Sequence, residues 1–304
     1  MADSATNAKF IISTDSCADH LKTYLTKHKV YCIPLRHIIA GKEFAEIYDS
    51  VEEFDNFYTT LKTGAMPTTT QLNIFEMQEH FGKILSKHPK GDIIHIPLSS
   101  GLSGTCDNAQ RAAIELNKTL TDRKIYVVDS LIATGGMGML IDRLIEFRDA
   151  GAETLETVKK IEYVRDRQQA WVIVSDLFHL KRGGRISGLR AAIGTLLNIR
   201  PIIILSKDGK LAIETTQKGN RKAINYVLDK VDRLGIQAVP DFFKNPIYLL
   251  RTSQSELYEE LKRTVIEMYP NAIIREGLVG PIIGAHLGDG VAVALFEGTP
   301  RLDR

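Results

Sequence analysis

The sequence predicts a two-domain α/β fold, with a mainly parallel N-terminal α/β domain over residues 1–152 and an α+β-like C-terminal domain over 153–304. Up to about residue 150, short apolar runs alternate with amphipathic stretches, which is typical of strands joined by helices in a parallel sheet. Around Gly151 this pattern changes. A Lys207-Asp-Gly turn between two apolar runs then predicts an antiparallel hairpin in the second half.

Composition narrows the class of protein. The chain is 44% hydrophobic and 25% charged, as in ordinary globular domains, and its net charge of +2 argues against a general nucleic-acid binder. No apolar run is long enough to span a bilayer, and residues 1–8 are polar, so we expect a cytoplasmic protein. The three cysteines and eight histidines match no zinc or HExxH spacing, which predicts neither a metal site nor a cofactor.

The first strand is predicted over residues 10–15 and ends in the polar turn Thr14-Asp15-Ser16. In open α/β sheets, ligands bind at the carboxyl edge of the strands, where this turn would lie. Asp15 could hold a neighbouring loop, cap the next helix or contact a ligand. The pattern then predicts a helix at 19–28, a strand at 30–37 broken at Pro34, and a helix at 51–63.

A threonine-rich segment follows, with Thr68, Thr69 and Thr70 preceding a helix predicted over 74–86. Either Thr70 or Asn73 could cap that helix through its side-chain oxygen. Because capping needs one such group, three consecutive threonines call for a second role.

A second hydroxyl-rich segment follows the strand predicted over 92–96. Ser99, Ser100 and Ser103 are separated by glycines and lead into a helix at 107–116. A strand, a turn of small residues and a helix start can together hold an anion, because free backbone N–H groups and the helix dipole point towards it. A further strand is expected at 124–130 and a long helix at 134–149.

The second half contains a basic, glycine-rich loop at 180–190 between alternating strands and helices. This loop could be a solvated turn or a surface facing an anion or a partner. The pattern predicts these elements in chain order: a helix at 153–167, strands at 170–175, 200–205 and 210–216, a helix at 220–234, a strand at 246–251, a helix at 255–269, a strand at 272–276, a short apolar segment at 279–287, and a strand at 291–296.

Six of these segments, taken together and in order, resemble the DegV family of bacterial fatty-acid-binding proteins and cover nearly the whole chain. The resembling segments are Thr14–Ser16 (family "TDS"), Thr68–Gln71 ("TSQP"), Leu98–Thr105, Leu180–Ser187 ("LKKGGRI"), Ile199–Ile202 ("IKPI") and Gly284–Gly290 ("HxGPG"). The chain departs from the family pattern at Leu72, Arg200 and Asp289, where the family has proline, lysine and proline.

The resemblance implies the two-domain DegV-like (EDD) fold and a buried long-chain fatty acid as ligand. By position, it assigns the carboxylate-holding hydroxyls to Thr69 and Ser100, with Thr70 and Ser99 as neighbouring alternatives. It also places His286 near the head group. In this interpretation the chain is a lipid-binding protein without catalytic residues of its own.

The resemblance further implies a partner in phospholipid metabolism, a separate kinase that phosphorylates the bound carboxylate to an acyl phosphate. We expect the basic side chains Lys181, Arg182 and Arg185 to dock an acidic kinase surface. No nucleic acid is expected, and transient contact with a membrane is compatible with this role.

Two other classes of function remain open from the residues alone. A serine-dependent acyl hydrolase or transferase would use one of the loop serines as nucleophile, but the G-x-S-x-G elbow is incomplete, since Ser103 follows Gly101 and precedes Thr105. A regulator that binds a sugar or a phosphate would use the same anion-binding loops.

Overall fold

The computed structural model describes residues 8–175, 177–185 and 198–301. The strands of the described chain are β1 (Phe10–Asp15), β2 (Val30–Ile33), β3 (Arg36–Ile39), β4 (Lys42–Ala45), β5 (Thr68–Thr70), β6 (Asp92–Ile96), β7 (Ile125–Val127), β8 (Gln168–Ile173), β9 (Ile199–Leu205), β10 (Leu211–Lys218), β11 (Ile247–Arg251), β12 (Ile274–Leu278) and β13 (Ala292–Glu297). The α-helices are α1 (Lys22–Lys27), α2 (Val51–Lys62), α3 (Ile74–Lys87), α4 (Thr105–Asn117), α5 (Gly135–Asp149), α6 (Thr154–Arg167), α7 (Phe178–Arg182), α8 (Asn220–Val231), α9 (Glu256–Met268) and α10 (Pro281–Leu287).

The strands form three sheets. A parallel sheet has the order β2-β1-β6-β7, a six-stranded sheet has the order β10-β9-β8-β13-β11-β12, and a small antiparallel sheet has the order β4-β3-β5. In the six-stranded sheet every pair is antiparallel except β11 with β12. The predicted α/β class, with a parallel sheet in the first half and antiparallel hairpins in the second, is therefore confirmed.

The parallel sheet forms because its strands are short, apolar and β-branched. Ile12 of β1 lies opposite Ile94 of β6, and both side chains are fully buried. Helix α3 begins with a capping box, in which the Asn73 side chain accepts from the Glu76 N–H and the Glu76 carboxylate accepts from the Asn73 N–H. The threonines before Asn73 are therefore not needed as caps.

The small antiparallel sheet is the main departure from the predicted elements. The strand expected over 30–37 is divided at Pro34 into β2 of the parallel sheet and β3 of the small sheet. The Thr68–Thr70 segment, expected as an approach to a helix, is strand β5, which pairs with β3 and brings Thr69 opposite His37.

The six-stranded sheet carries the predicted hairpin at Lys207-Asp-Gly between β9 and β10. One face packs around Trp171, which is 2% exposed. The other face contributes Val172 and Val293 to a core cluster that also contains Ile12 and Ile94 of the parallel sheet. The two large sheets thus share one hydrophobic core, and the division at residue 152 remains a prediction.

Helix α10 replaces the short apolar segment expected at 279–287. It packs against α2, β3 and α7, and Pro281 occupies its first turn, where a missing N–H costs nothing. The hydroxyl of Tyr58 donates to the carbonyl of Val279 at 2.6 Å, just before the helix. Gly284 is required there, since a Cβ at this position would overlap the Tyr58 hydroxyl.

Candidate ligand-binding cavity

We refer to residues 98–104, between β6 and α4, as the serine turn. A cavity of about 820 Å³, part of it open to solvent, lies where β5, α10, the serine turn and the six-stranded sheet meet. Most of its wall is apolar, as in a site for a hydrocarbon chain. The apolar lining residues are Leu35, Leu98, Leu102, Ala133, Ala170, Val172, Leu180, Leu205, Leu211, Ile282, Ile283, Leu287, Val293 and Leu295.

The polar residues of the wall come from several elements. Thr69, Thr70 and Gln71 are supplied by β5 and the residue after it, Ser103 by the serine turn, Thr134 by the start of α5, Arg185 by the basic loop and His286 by α10. We refer to Thr69, Ser103, Arg185 and His286 as the polar cluster. Direct contacts link the segments that carry it, since Arg185 Nε donates to the Leu102 carbonyl beside Ser103.

Thr69 and His286 form the best-defined contact of the polar cluster, with 2.9 Å between Thr69 Oγ1 and His286 Nε2. Burial, reinforced by the nearby Arg185 and Arg182 side chains, lowers the pKa of His286 to about 4. The imidazole is therefore neutral near neutral pH, with one ring nitrogen as donor and the other as acceptor. Its Nδ1 atom is buried without a partner among the described residues.

Ser103 lies at the start of α4. Its hydroxyl donates to Thr105 Oγ1 at 3.0 Å and accepts from the Thr105 N–H at 3.2 Å. Within the described chain it has no histidine partner, so nothing there activates it as a nucleophile. By contrast, the Ser13 hydroxyl contacts the imidazoles of His80 and His95. Ser13 is fully buried and does not line the cavity, so it could not reach a ligand bound there.

The other two serines of the turn do not line the cavity. Ser99 is fully buried, donates to the Gly209 carbonyl at 2.9 Å and thereby attaches the β9–β10 hairpin to the turn. Ser100 is exposed, and its backbone N–H donates to Asp129 Oδ1 at 3.1 Å. Of the predicted carboxylate-holding residues, the structure thus brings Thr69, Thr70 and His286 together but not Ser99 or Ser100. Sequence reasoning did not select Ser103 for this role.

Asp15 has a structural place at the end of β1. One carboxyl oxygen accepts from the Leu98 N–H at 2.6 Å and the other from the Cys17 N–H at 3.0 Å. It therefore holds the start of the serine turn and caps the short 3₁₀ helix Ser16–Ala18. After this helix Asp19 adopts a positive φ of 56°, which delays α1 to Lys22 rather than the predicted residue 19.

The basic loop has two kinds of side chain. Arg182 donates to the Pro67 carbonyl at 2.9 Å, just before β5, while Arg185 donates to the Gly183 carbonyl at 2.6 Å and lines the cavity. Lys181 is exposed and does not line the cavity. Ile186 and Ser187, which belong to the family-like segment, lie outside the described residues.

The fold and the cavity define a class of α/β protein that encloses an apolar pocket with hydroxyl and imidazole groups in its wall. The chain matches the family model described as "Uncharacterised protein, DegV family" over residues 9–298. It belongs to the DegV family. A DegV domain-containing protein of Streptococcus pyogenes is 31% identical, covering 95% of this chain and 98% of its own. A second, from Caldanaerobacter subterraneus, is 31% identical over 95% of this chain and 99% of the relative.

Solved structures share the fold over their whole length. DegV of Bacillus subtilis, described as a fatty acid binding protein, has a TM-score of 0.79 at 26% identity, covering 96% of this chain and all of the other. A DegV lipid binding protein of Thermotoga maritima has a TM-score of 0.79 at 25% identity, covering 97% of this chain and all of the other.

The helices and the potential metal ligands of residues 8–175, 177–185 and 198–301 bear on membrane and metal binding. None of the helices there combines the length and the apolar character needed to cross a bilayer. In the same ranges, no three histidine, cysteine or acidic side chains converge as a metal site.

Proposed function

We propose that this protein binds a long-chain fatty acid, with the hydrocarbon tail in the apolar part of the cavity and the carboxylate at the polar cluster. The observation that carries the proposal is the cavity itself, whose apolar wall meets Thr69, Ser103 and His286. Relatives with the same fold are described as binding fatty acids, among them the Bacillus subtilis protein.

The tail would supply most of the affinity. At about 0.8 kcal/mol per buried methylene, a tail of about fifteen methylenes gains roughly 12 kcal/mol before the costs of immobilising the ligand. The head group then needs hydrogen bonds that satisfy it rather than a strong ionic clamp. Neutral hydroxyls fit this requirement, and they leave a carboxylate oxygen open to a second protein.

The contact between Thr69 and His286 suggests how the hydroxyl is oriented. If His286 carries its proton on Nε2, it donates to Thr69 Oγ1, and the Thr69 hydroxyl proton is directed to the carboxylate. The Nδ1 atom is then an unpaired acceptor, in agreement with its lack of a partner among the described residues. Ser103 would supply the second hydroxyl, in place of Ser100, because it lines the cavity.

We also propose that the bound acid is presented to a separate kinase in the cytoplasm. Transfer of the γ-phosphoryl group of ATP would break the bond to ADP and form a new bond to a carboxylate oxygen, giving an acyl phosphate. Arg185 lines the cavity and adds positive charge where phosphate charge would arrive. Lys181, which is exposed in α7, would then contact the kinase.

The test compares hexadecanoic acid with hexadecan-1-ol in a displacement assay with a fluorescent fatty acid. We expect the acid to bind at least about tenfold more tightly, because hydrogen bonds to a charged acceptor contribute roughly 1.5–3 kcal/mol. Equal affinities would contradict the head-group assignment, and no binding of either would contradict the function. Stoichiometric labelling of Ser103 by a fluorophosphonate would instead indicate a serine hydrolase.

A further inference from the structure

A second cavity lies beside the 3₁₀ helix Ser16–Ala18 that follows β1. Ser16, Asp19, Glu46 and Tyr48 form part of its wall, and the cavity is partly open to solvent. It brings together two carboxyl groups that the proposed binding of a fatty acid does not use.

Glu46 is 3% exposed and both of its carboxyl oxygens are engaged. Oε2 accepts from the Ser16 hydroxyl at 2.7 Å, and Oε1 accepts from the backbone N–H of Ile282 at 2.7 Å. The second bond is made to the first turn of α10. Glu46 therefore fixes the position of the helix that carries His286 and the apolar residues Ile282, Ile283 and Leu287 of the main cavity.

Asp19 meets Glu46 at the same point of α10. A Cβ at Gly280 would overlap Asp19 Oδ1 and lie 2.7 Å from Glu46 Oε1. Both carboxyl groups therefore lie close to the Gly280 Cα. Only glycine leaves room for them. Both Asp19 oxygens are buried. The Gly280 N–H and the Thr134 hydroxyl favour the charged form of Asp19, but neither makes a hydrogen bond of good geometry to it.

The nearby basic side chains contact other carboxylates. His20 Nε2 lies 3.3 Å from Asp142 Oδ1, and Lys22 Nζ lies 3.3 Å from Asp49 Oδ2. In the described ranges no ion pair reaches Asp19 or Glu46, and no metal-binding group of side chains includes them. Two buried carboxylates without a cation are strongly unfavourable, so a proton is the remaining means of neutralisation.

The other titratable groups that face this pair supply no positive charge. They are Asp15 of β1, Cys17 of the 3₁₀ helix, Cys32 of β2, Tyr48, and Tyr58 of α2. Burial raises the pKa of Glu46 to about 8 and that of Asp15 to about 6. Burial and the charge of Glu46 raise the pKa of Asp19 well above its usual value.

We propose that Asp19 and Glu46 share one proton, and that the protonated pair holds the first turn of α10 in the position that closes the main cavity. The inference rests on the proposed fatty-acid binding, because α10 matters to the ligand only as a wall of that cavity. When the proton leaves through the second cavity, two negative charges face each other at Gly280. Their repulsion moves α10 outward, and the ligand is held less tightly.

The experiment measures the affinity for a fatty acid with a fluorescent tail, from about pH 6 to about pH 9, in the wild type, Glu46→Gln and Asp19→Asn. The wild-type affinity should fall by up to about tenfold per pH unit above the pKa of the pair, because one proton is linked to binding. Each variant replaces one carboxyl group with an amide, whose N–H can donate to the other side chain at every pH. From about pH 6 to about pH 9, each variant should therefore bind the fatty acid as tightly as the wild type does at low pH. Titration of the ligand and of His286 is common to all three proteins and cancels in their ratios.

Variants that follow the wild-type profile would overturn the proposal, as would a wild-type affinity that does not change with pH. Two ligand-free measurements separate this outcome from a failure of the proposed function. The melting temperature of the wild type should fall relative to Glu46→Gln as the pH rises from about 6 to about 8, because over that range the folded Glu46 keeps a proton that the unfolded chain has already released. The infrared band of a buried protonated carboxyl group should be present in the wild type near pH 7 and lost near pH 9. If the variants do not fold, absence of this wild-type band overturns the proposal on its own.

Discussion

The two cavities differ in the charge of their buried polar groups, although residues of both cavities contact α10. In the main cavity the buried polar groups are neutral hydroxyls and a neutral imidazole, and the cationic Arg185 is an exposed residue. In the second cavity the buried groups include the carboxyls of Glu46 and Asp19, and neither Asp19 oxygen has a donor in good hydrogen-bond geometry among the described residues. The main cavity is therefore suited to receive a charge from outside, whereas the second already contains one and needs a proton.

Filling the apolar part of the main cavity should have the largest effect. Leu211→Trp places a larger side chain where the tail would lie and displaces about four methylenes, which corresponds to roughly 3 kcal/mol or about a 150-fold loss of affinity. Displacement of a fluorescent fatty acid measures this loss. Ile213→Trp is the matched control, because Ile213 lies on the same strand but does not line the cavity. Equal losses in both variants would show that the strand, rather than the cavity, is affected.

Removing single hydroxyls should have a smaller effect and should distinguish the serines. Thr69→Val and Ser103→Ala should each weaken binding of the acid by about 1 to 2 kcal/mol, the cost of leaving a buried acceptor unsatisfied. Ser100→Ala should leave the affinity unchanged, since Ser100 is exposed outside the cavity. Isothermal titration calorimetry checks all three variants. If Ser100→Ala loses as much affinity as Ser103→Ala, Ser100 also contacts the carboxylate, as the sequence predicted.

Charge reversal on the basic loop should separate binding from phosphorylation. Lys181→Glu should reduce acyl phosphate formation by a fatty-acid kinase severalfold at unchanged fatty-acid affinity, because Lys181 lies outside the cavity. Arg185→Glu should reduce both, because Arg185 lines it. Acyl phosphate is measured by trapping with hydroxylamine. Equal loss of lipid binding in Lys181→Glu would show that this residue acts on the cavity rather than on the kinase.

The neutral histidines should make the protein less stable in mild acid, whether or not a ligand is bound. Burial lowers the pKa of His80 and His286 to about 4, and it lowers the pKa of His95 well below its usual value. At these three histidines the folded state binds fewer protons than the unfolded state between about pH 6.5 and 4, so their contribution to the free energy of unfolding falls as the pH is lowered through this window. Each histidine contributes at most about 1.4 kcal/mol per pH unit.

Thermal unfolding as a function of pH checks this expectation. His80→Gln keeps a polar group beside Ser13 but removes one titrating ring, and its profile should be shallower than that of the wild type. Parallel profiles of the wild type and His80→Gln between pH 6.5 and 4 would contradict a neutral buried His80, since the buried carboxyls of Asp15 and Glu46 contribute equally to both proteins.

Much of the fold could be predicted because local pattern and final environment agree. The apolar run of β6 and the alanines on one face of α4 are buried as their spacing predicts. Strand β5 could not be predicted in the same way, since three polar residues carry no apolar periodicity and become a strand only by pairing with β3. Likewise, α10 is too short to show a helical repeat.

The candidate site could be predicted as segments but not as individual side chains. The serine turn was identified, yet which of its hydroxyls enters the cavity depends on how the turn folds between the β9–β10 hairpin and α4. Ser99 is turned to Gly209, and Ser103 is turned to Thr105. Asp19 and Glu46 gave no signal, because their meeting depends on the approach of Gly280 from the other end of the chain.

Native mass spectrometry of the protein, before and after incubation with a mixture of long-chain fatty acids, tests the central claim most directly. We expect a one-to-one complex whose added mass is that of an intact long-chain fatty acid, with the complex strongly reduced in Leu211→Trp and retained in Ile213→Trp. A protein that carries no lipid after such incubation would contradict the account, as would a complex that Leu211→Trp leaves unchanged.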